Sequence, residues 1–227
     1  MEHDPLRELG EPGGGTARRG APHLPLTEEQ EGVLTRWLDA YVTAPHPELG
    51  RDGPVCPFVR PAIRVGALHT ARVVWRGGGL AEMERHALAA LDHFVDHAET
   101  GGKDALDSLI VVVDGLERND FRLIDEAHRV VKDRAVAEGL MLGQMHPECP
   151  APSARNPFFP VNRAPCPLYV VRRMAFHDIL FLHDNPVWFE KYRSRYGRHY
   201  RSPDRVDPSF VRLFDLGALI AAGGSLV

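Results

Sequence analysis

The sequence predicts an α+β or α/β fold with a mixed central sheet of about four to five strands, helices packed on it, and a helical C-terminal region. Two observations carry this prediction. Strand-like apolar runs alternate with amphipathic helical runs through the middle of the chain, which favours helices packed on a mixed or parallel sheet. The 44% hydrophobic and 26% charged content is that of an ordinary globular domain.

The first elements follow a predicted tail. Residues 1–25 are rich in Gly, Pro and charge, so we expect a disordered N-terminal tail before a single domain over 26–227. Thr27 and Gln30 have the spacing of a capping box, and apolar residues then recur at helical spacing to about residue 42. The sequence therefore predicts a helix at 27–42, followed by a Pro-rich connection.

The middle of the chain alternates between strands and helices. Leu109 to Val113 is a continuous apolar run, typical of a strand that is buried on both faces. Asn119 is the predicted N-cap of the next helix, and Gly139 is expected to end it. From residue 67 on, the predicted elements are strands at 67–75, 109–113, 140–145 and 168–171 and helices at 80–99, 119–138, 177–182, 186–196 and 208–221.

Composition excludes several classes of function. The net charge of −4 and pI near 6.3 argue against a nucleic-acid partner, which usually meets a basic face. No run of about 18 apolar residues predicts a membrane span, and the N-terminus lacks the pattern of a secretory signal, so we expect a cytoplasmic protein. Three cysteines do not make a disulfide framework. The expected partners are a small-molecule substrate and, as an open option, a second copy in a homodimer.

The candidate site is the long loop at residues 143–178. A connection of this length without regular structure usually has a function. It carries His146-Pro147, two of the three cysteines, and several Asn and Arg side chains. Because Pro147 fixes the chain direction, the imidazole of His146 could point from the strand end into a cavity.

These residue types are those of a haem site. Imidazole and thiolate are common protein ligands of haem iron, so His146 is a candidate iron ligand and Cys56 is its rival. Arginine holds propionates or a substrate carboxylate bidentately, and phenylalanine rings line flat apolar walls. The candidates for these two roles are Arg155, Arg163, Arg172 and Arg173, and Phe158, Phe159 and Phe176.

Two other classes of function remain open. The Pro-rich loops could form the pocket of a non-catalytic small-molecule-binding or accessory protein. Alternatively, Cys149, which lies three residues after His146, or Cys166 could serve a Cys-dependent hydrolase or transferase. His146 could also be a strand-end histidine whose hydrogen bonds are satisfied.

Two segments, residues 53–66 and 143–178, resemble a family of uncharacterised bacterial proteins. Its members carry an early CPF segment, a His-Pro, an Asn-Arg-x-Pro turn and an Arg-Arg-Met-like strand, all of which are present here. The layout is more distantly similar to the YqcI/YcgG family, which includes haem-dependent N-oxygenases. The positions that match this second family are Cys56, Pro57, Phe58, His146, Pro147, Ser153, Arg155 and Asp178.

The second resemblance implies a haem-dependent mono-oxygenase that acts on a small nitrogen-containing metabolite in biosynthesis. His146 would then be the axial metal ligand, and Arg155 or Arg163 would anchor a carboxylate. Asn162 would bond the distal ligand or brace the loop. On this interpretation the catalytic residues are His146, Arg155 and Asn162, and the cofactor is bound by Cys56, Phe58, His146, Arg163 and Arg172.

Overall fold

A four-stranded mixed sheet forms the centre of the protein in a computed structural model that describes residues 23–97 and 105–224. Its strands lie in the order β1 (Leu68–Val74), β2 (Ser108–Asp114), β6 (Leu168–Arg173) and β3 (Leu140–Met145). β1 and β2 are parallel, whereas β6 is antiparallel to both β2 and β3. β1, β2 and β3 therefore point the same way, and their carboxyl ends share one edge of the sheet. The predicted fold class and C-terminal helical region are confirmed.

Two long helices cover one face of the sheet. They are α3 (Gly79–His97) and α4 (Arg122–Ala137), each connecting two of the parallel strands. All of β2 except its last residue is buried, as its continuous apolar run predicts. The core on this face combines alternate residues of all four strands with the apolar sides of both helices.

The other face of the sheet packs against α1 (Glu28–Trp37) and the π-helical turn Leu38–Val42 that continues it. Thr27 and Gln30 form the predicted capping box. The Pro-rich connection after this helix is more regular than expected, because it holds a 3₁₀ turn at Pro47–Leu49 and the short helix α2 (Val59–Arg64).

The C-terminal region contains α5 (Ile179–Leu182), α6 (Pro186–Tyr196) and α7 (Pro208–Ala221). Their apolar sides form a second core, which reaches the sheet through Met141 on β3 and the end of α4 through Val136. None of the helices among the described residues is long and apolar enough to cross a membrane.

Three predictions need correction. The loop at 143–178 is not without regular structure, because β4 (Pro152–Ser153) and β5 (Asn156–Pro160) pair in a small antiparallel sheet. Asn119 is not the N-cap of α4, since it lies in the 3₁₀ turn Arg118–Asp120 that precedes the helix. Of the predicted tail at 1–25, residues 1–22 lie outside the described residues. The end of this segment is not free, because Leu24 forms two backbone hydrogen bonds with Arg72 on β1.

Candidate functional site

Three side chains of metal-ligating type meet at the carboxyl edge of the parallel strands. They are Asp125, His146 and Cys149, and one ligand atom of each lies within 4.8 Å of the others. His146 Nε2 is 3.0 Å from one carboxylate oxygen of Asp125, and the Cys149 thiol lies 3.7 Å from the other. Only 3% of His146 and none of Cys149 is exposed. We call this group the Asp-His-Cys cluster.

The topology brings these residues together. Asp125 lies in the first turn of α4, which starts at the edge where β2 ends. His146 directly follows β3, which ends at the same edge, and its side chain faces α4. The turn after it returns Cys149 to the same place, with the Cys149 N–H donating to the His146 carbonyl at 3.1 Å. Open α/β sheets commonly place their sites at this edge.

The protons of the cluster can be assigned from its hydrogen bonds. The backbone N–H of Glu148 donates to Nδ1 of His146 at 3.3 Å, so a neutral ring carries its proton on Nε2 and donates it to Asp125. Burial, together with the nearby Asp125 carboxylate, raises the pKa of the Cys149 thiol to about 11. In the absence of a metal ion, Cys149 is therefore a protonated thiol that donates to Asp125.

The cluster is not a nucleophilic triad. In such a triad the histidine lies between the nucleophile and the carboxylate. Here Asp125 lies between His146 and Cys149 instead, so the imidazole that would act as the base is not hydrogen-bonded to the thiol. Burial also raises the pKa of the other hydrolase candidate, Cys166, to about 11. These two observations disfavour Cys-dependent hydrolysis.

The residues around His146 hold the strand end in place. Asn162 donates to the carbonyl of Gln144 at 3.0 Å, and Ala164 donates to the carbonyl of His146. The ring of Phe121 lies 5.3 Å from the imidazole. Of the two predicted roles for Asn162, loop bracing therefore agrees with its contact.

A cleft of about 610 Å³ lies beside the same turn, on the side of the sheet that α1 covers. Pro147 and Ala164 form part of its wall, so the cleft and the Asp-His-Cys cluster share the backbone around residue 146. Most of the remaining lining is aromatic or carries charge: Trp37, Tyr41, His46, Glu48, Phe159 and Arg163.

The other predicted site residues lie apart from His146. The guanidinium of Arg172 lies 5.2 Å from the centre of the Phe58 ring and forms a bidentate ion pair with Asp178. Burial lowers the pKa of the Arg172 guanidinium, but Asp178 more than offsets this, and Cys56 lies close enough to add a smaller rise. This group is near the carboxyl end of β6, whereas His146 is beyond the carboxyl end of the antiparallel β3. The structure therefore does not bring the predicted cofactor-binding residues Cys56, Phe58 and Arg172 to His146.

Two further candidates do not line the cleft beside the cluster. Arg155 lines a second cavity of about 370 Å³ together with Arg212 and residues of α7. Phe158 is 91% exposed, so it does not form the wall of a pocket. Of the predicted site residues, His146, Asn162 and Arg163 lie together, because His146 and Arg163 form a β-bridge and Asn162 binds the strand end at Gln144. Phe159 lines the adjoining cleft with Arg163.

Sequence reasoning missed Asp125. Asp125 stands among charged residues at helical spacing, a pattern that favours a solvated helix side. The available signal was its position in the first turn of a helix that follows a buried strand. That turn lies at the carboxyl edge of the sheet, where the strand-end His146 is also found.

The chain belongs to the family described as a domain of unknown function (DUF6875), which matches residues 31–207. A search among curated proteins and a search among solved structures gave no match.

Proposed function

We propose that the protein is a metal-dependent enzyme that acts on a small molecule, with Asp125, His146 and Cys149 as the ligands of one divalent transition-metal ion. The observation that carries this proposal is the convergence of these three side chains at the carboxyl edge of the sheet. Carboxylate, imidazole and thiolate are all ligands of Zn²⁺ and related ions.

The distances fit a small ion. Bonds of about 2.0–2.3 Å at tetrahedral angles separate the ligand atoms by about 3.3–3.6 Å. The contacts of 3.0 Å and 3.7 Å lie on either side of that range and reach different oxygens of Asp125. All the ligand atoms lie within 4.8 Å of one another, so an ion would draw them slightly together. An ion bound at Nε2 would move the ring proton to Nδ1. Two donors, the Nδ1–H and the Glu148 N–H, would then face each other, so the turn after His146 would have to adjust slightly.

Within the part of the chain that the structure describes, the cluster has three candidate ligands, and this number favours a catalytic site over a structural one. Catalytic zinc sites use three protein ligands and leave the fourth position to water or substrate, whereas structural sites are closed by four protein ligands. In such a site a bound ion acts as a Lewis acid and lowers the pKa of bound water. The chain's own residues would supply charge and position. Asp125 and Cys149, whose thiol would release its proton to solvent on binding the ion, would neutralise its charge, and Asn162 would fix the strand end.

Haem remains a prediction from the sequence. Both ring nitrogens of His146 lie against protein groups, and the ring is almost completely buried. Iron ligation by haem would require His146 to leave Asp125 and a large apolar slot to open beside it. A small ion needs neither change, and for this reason we prefer it. If the ion is iron, the predicted oxidoreductase chemistry would be retained.

The test is metal binding by matched cysteine variants. We expect the purified protein to bind one Zn²⁺ or Co²⁺ per chain, as measured by equilibrium dialysis and elemental analysis. Cys149→Ser should weaken binding at least about tenfold, because even outer residues of metal sites contribute that much. Cys166→Ser is the matched control, since burial raises the pKa of both thiols to about 11. Equal affinity in both variants would contradict the proposal.

A second measurement separates a catalytic site from a structural one. If the fourth position is open, a small anion such as azide should change the visible spectrum of the cobalt-loaded protein. A cobalt spectrum that does not respond to azide indicates a closed site and contradicts the enzymatic part of the proposal.

A non-catalytic small-molecule-binding protein is the second candidate. The open cleft beside Pro147 favours it, because aromatic and charged side chains line the cleft. These side chains could bind a ligand whether or not a metal ion is bound. In that case ligands should bind in the cleft while the protein binds neither Zn²⁺ nor Co²⁺.

A further inference from the structure

A row of aromatic rings forms one wall of the cleft beside Pro147. The rings of Trp37 and Tyr41 are 6.4 Å apart, and that of Tyr41 is 6.0 Å from the ring of His46. His46 in turn stacks on Phe159 at 4.3 Å. The row crosses from α1 through the Pro-rich connection to β5, so it joins three segments that are distant in sequence.

Three polar atoms of this wall are already used by the protein. The indole N–H of Trp37 donates to the Arg163 carbonyl at 3.2 Å, and the Tyr41 hydroxyl donates to the Val161 carbonyl at 2.9 Å. Nδ1 of His46 accepts from the Glu48 N–H. What these side chains offer a ligand is therefore mainly the faces and edges of their rings, to which a flat aromatic compound binds well.

Side chains of opposite charge belong to the lining of the cleft beside this row. The backbone of Arg163 contacts Trp37, and the backbone of Glu48 contacts His46. Burial raises the pKa of Tyr41, and the charge of Arg163 lies close enough to oppose that rise. The side chains of Arg163 and Glu48 are exposed and line the cleft. Within the described residues neither has an ion-pair partner, in contrast to Arg118 and Glu148 at the nearby turn, which pair with each other. Both charges are available to a ligand.

We propose that the cleft binds a flat aromatic compound with an anionic group at one end and a cationic group at the other. Arg163 pairs with the anion, the ring row holds the aromatic part, and Glu48 pairs with the cation. The interpretation of this ligand as the substrate rests on the proposed function. It is favoured by the position of the cleft, since Pro147 and Ala164 join the cleft wall to His146. The binding itself does not depend on the metal ion.

The test uses three small probes with the full-length protein. The first is para-(aminomethyl)benzoate, which carries both charges; para-toluate lacks the amine, and benzylamine lacks the acid. Ligand-observed NMR titration, which is suited to weak binding, gives the three dissociation constants. We expect the first probe to bind about fivefold more tightly than either of the others, which is the size of one partly exposed ion pair.

Two charge-removing variants assign each end of the ligand. Arg163→Gln should weaken the binding of the two probes that carry an acid about fivefold and leave the binding of benzylamine unchanged. Glu48→Gln should weaken the binding of the two probes that carry an amine about fivefold and leave the binding of para-toluate unchanged. Arg212→Gln is the control, because it removes the same charge at the second cavity, away from the cleft. All three probes should bind to this control as they do to the unaltered protein.

The titration is repeated on protein treated with a chelator, so that ligand binding and metal binding are judged separately. Equal binding of all three probes, or an equal effect of Arg163→Gln and Arg212→Gln, would overturn the inference. Binding of the probes to protein that takes up no metal would support the cleft while contradicting the proposed enzyme.

Discussion

The ion pair between Arg172 and Asp178 should stabilise the fold rather than hold a cofactor. Asp178 is 1% exposed, and its carboxylate accepts from Arg172 Nη1 at 2.8 Å, Arg172 Nη2 at 2.6 Å and the Ala175 N–H at 2.7 Å. Asp178→Ala removes all three bonds and leaves the guanidinium without its main partner. The free energy of unfolding should fall as a consequence.

The expected loss follows from burial. Breaking a buried pair by removing one partner costs about 3–5 kcal/mol. The Arg172 side chain is 22% exposed and can regain some solvation, so we expect a loss near the lower limit, about 3 kcal/mol. This is a large fraction of the roughly 5–15 kcal/mol that stabilises a typical protein.

Urea unfolding followed by circular dichroism measures this loss. Glu190→Ala is the control, because Glu190 pairs with Arg193 where both side chains are about half exposed, and it should cost less than about 1 kcal/mol. The double variant Arg172→Met, Asp178→Leu should recover much of the loss, since it leaves no unpaired charge. If Asp178→Ala costs no more than Glu190→Ala, the stabilising role of this pair is refuted.

Three further predictions concern packing, pH and thiol reactivity. Gly217→Ala on α7 places a Cβ 2.6 Å from Phe189 Cε2 and should destabilise the protein by about 1–3 kcal/mol. Gly32→Ala in α1 meets no such contact and should stabilise the protein by about 0.5–1 kcal/mol. Thermal unfolding measures both effects. Burial lowers the pKa of His128 to about 4, so up to about 3 kcal/mol of stability should be lost as the pH falls from 6.5 to 4. His128→Gln should flatten that part of the unfolding profile, and an unchanged profile would contradict the assignment. Because burial raises the pKa of Cys166 to about 11, its rate of reaction with iodoacetamide should still be rising between pH 8 and pH 10; a plateau below pH 9 would refute this.

The hydrophobic pattern was sufficient to predict most of the fold. β2 could be predicted because it is buried on both faces, and such a strand has a continuous apolar run. The first helix could be predicted from its capping box, which is a local arrangement. Asn119 was misassigned because its residue type suits an N-cap, but the chain instead makes a 3₁₀ turn there and starts α4 without a side-chain cap.

The site was only partly predictable. His146 could be proposed because it follows a strand directly and precedes a proline. Its contact with Asp125 joins residues that are 21 positions apart, and it depends on how α4 returns to the sheet edge. Likewise, Arg172 was grouped with His146 because both lie in one stretch of sequence. However, β6 is antiparallel to β3, so Arg172 lies opposite Met141, away from the strand end that carries His146. Such long-range contacts follow from topology, which the residue pattern does not specify.

The visible and near-ultraviolet spectrum of the cobalt-loaded protein tests the metal site most directly. A thiolate ligand of Co²⁺ gives a charge-transfer band, so the account predicts a band that saturates at one equivalent of Co²⁺. The band should be absent in Cys149→Ser and present in Cys166→Ser. If Co²⁺ produces no such band in the unaltered protein, or if the band persists in Cys149→Ser, the Asp-His-Cys cluster is not the proposed metal site.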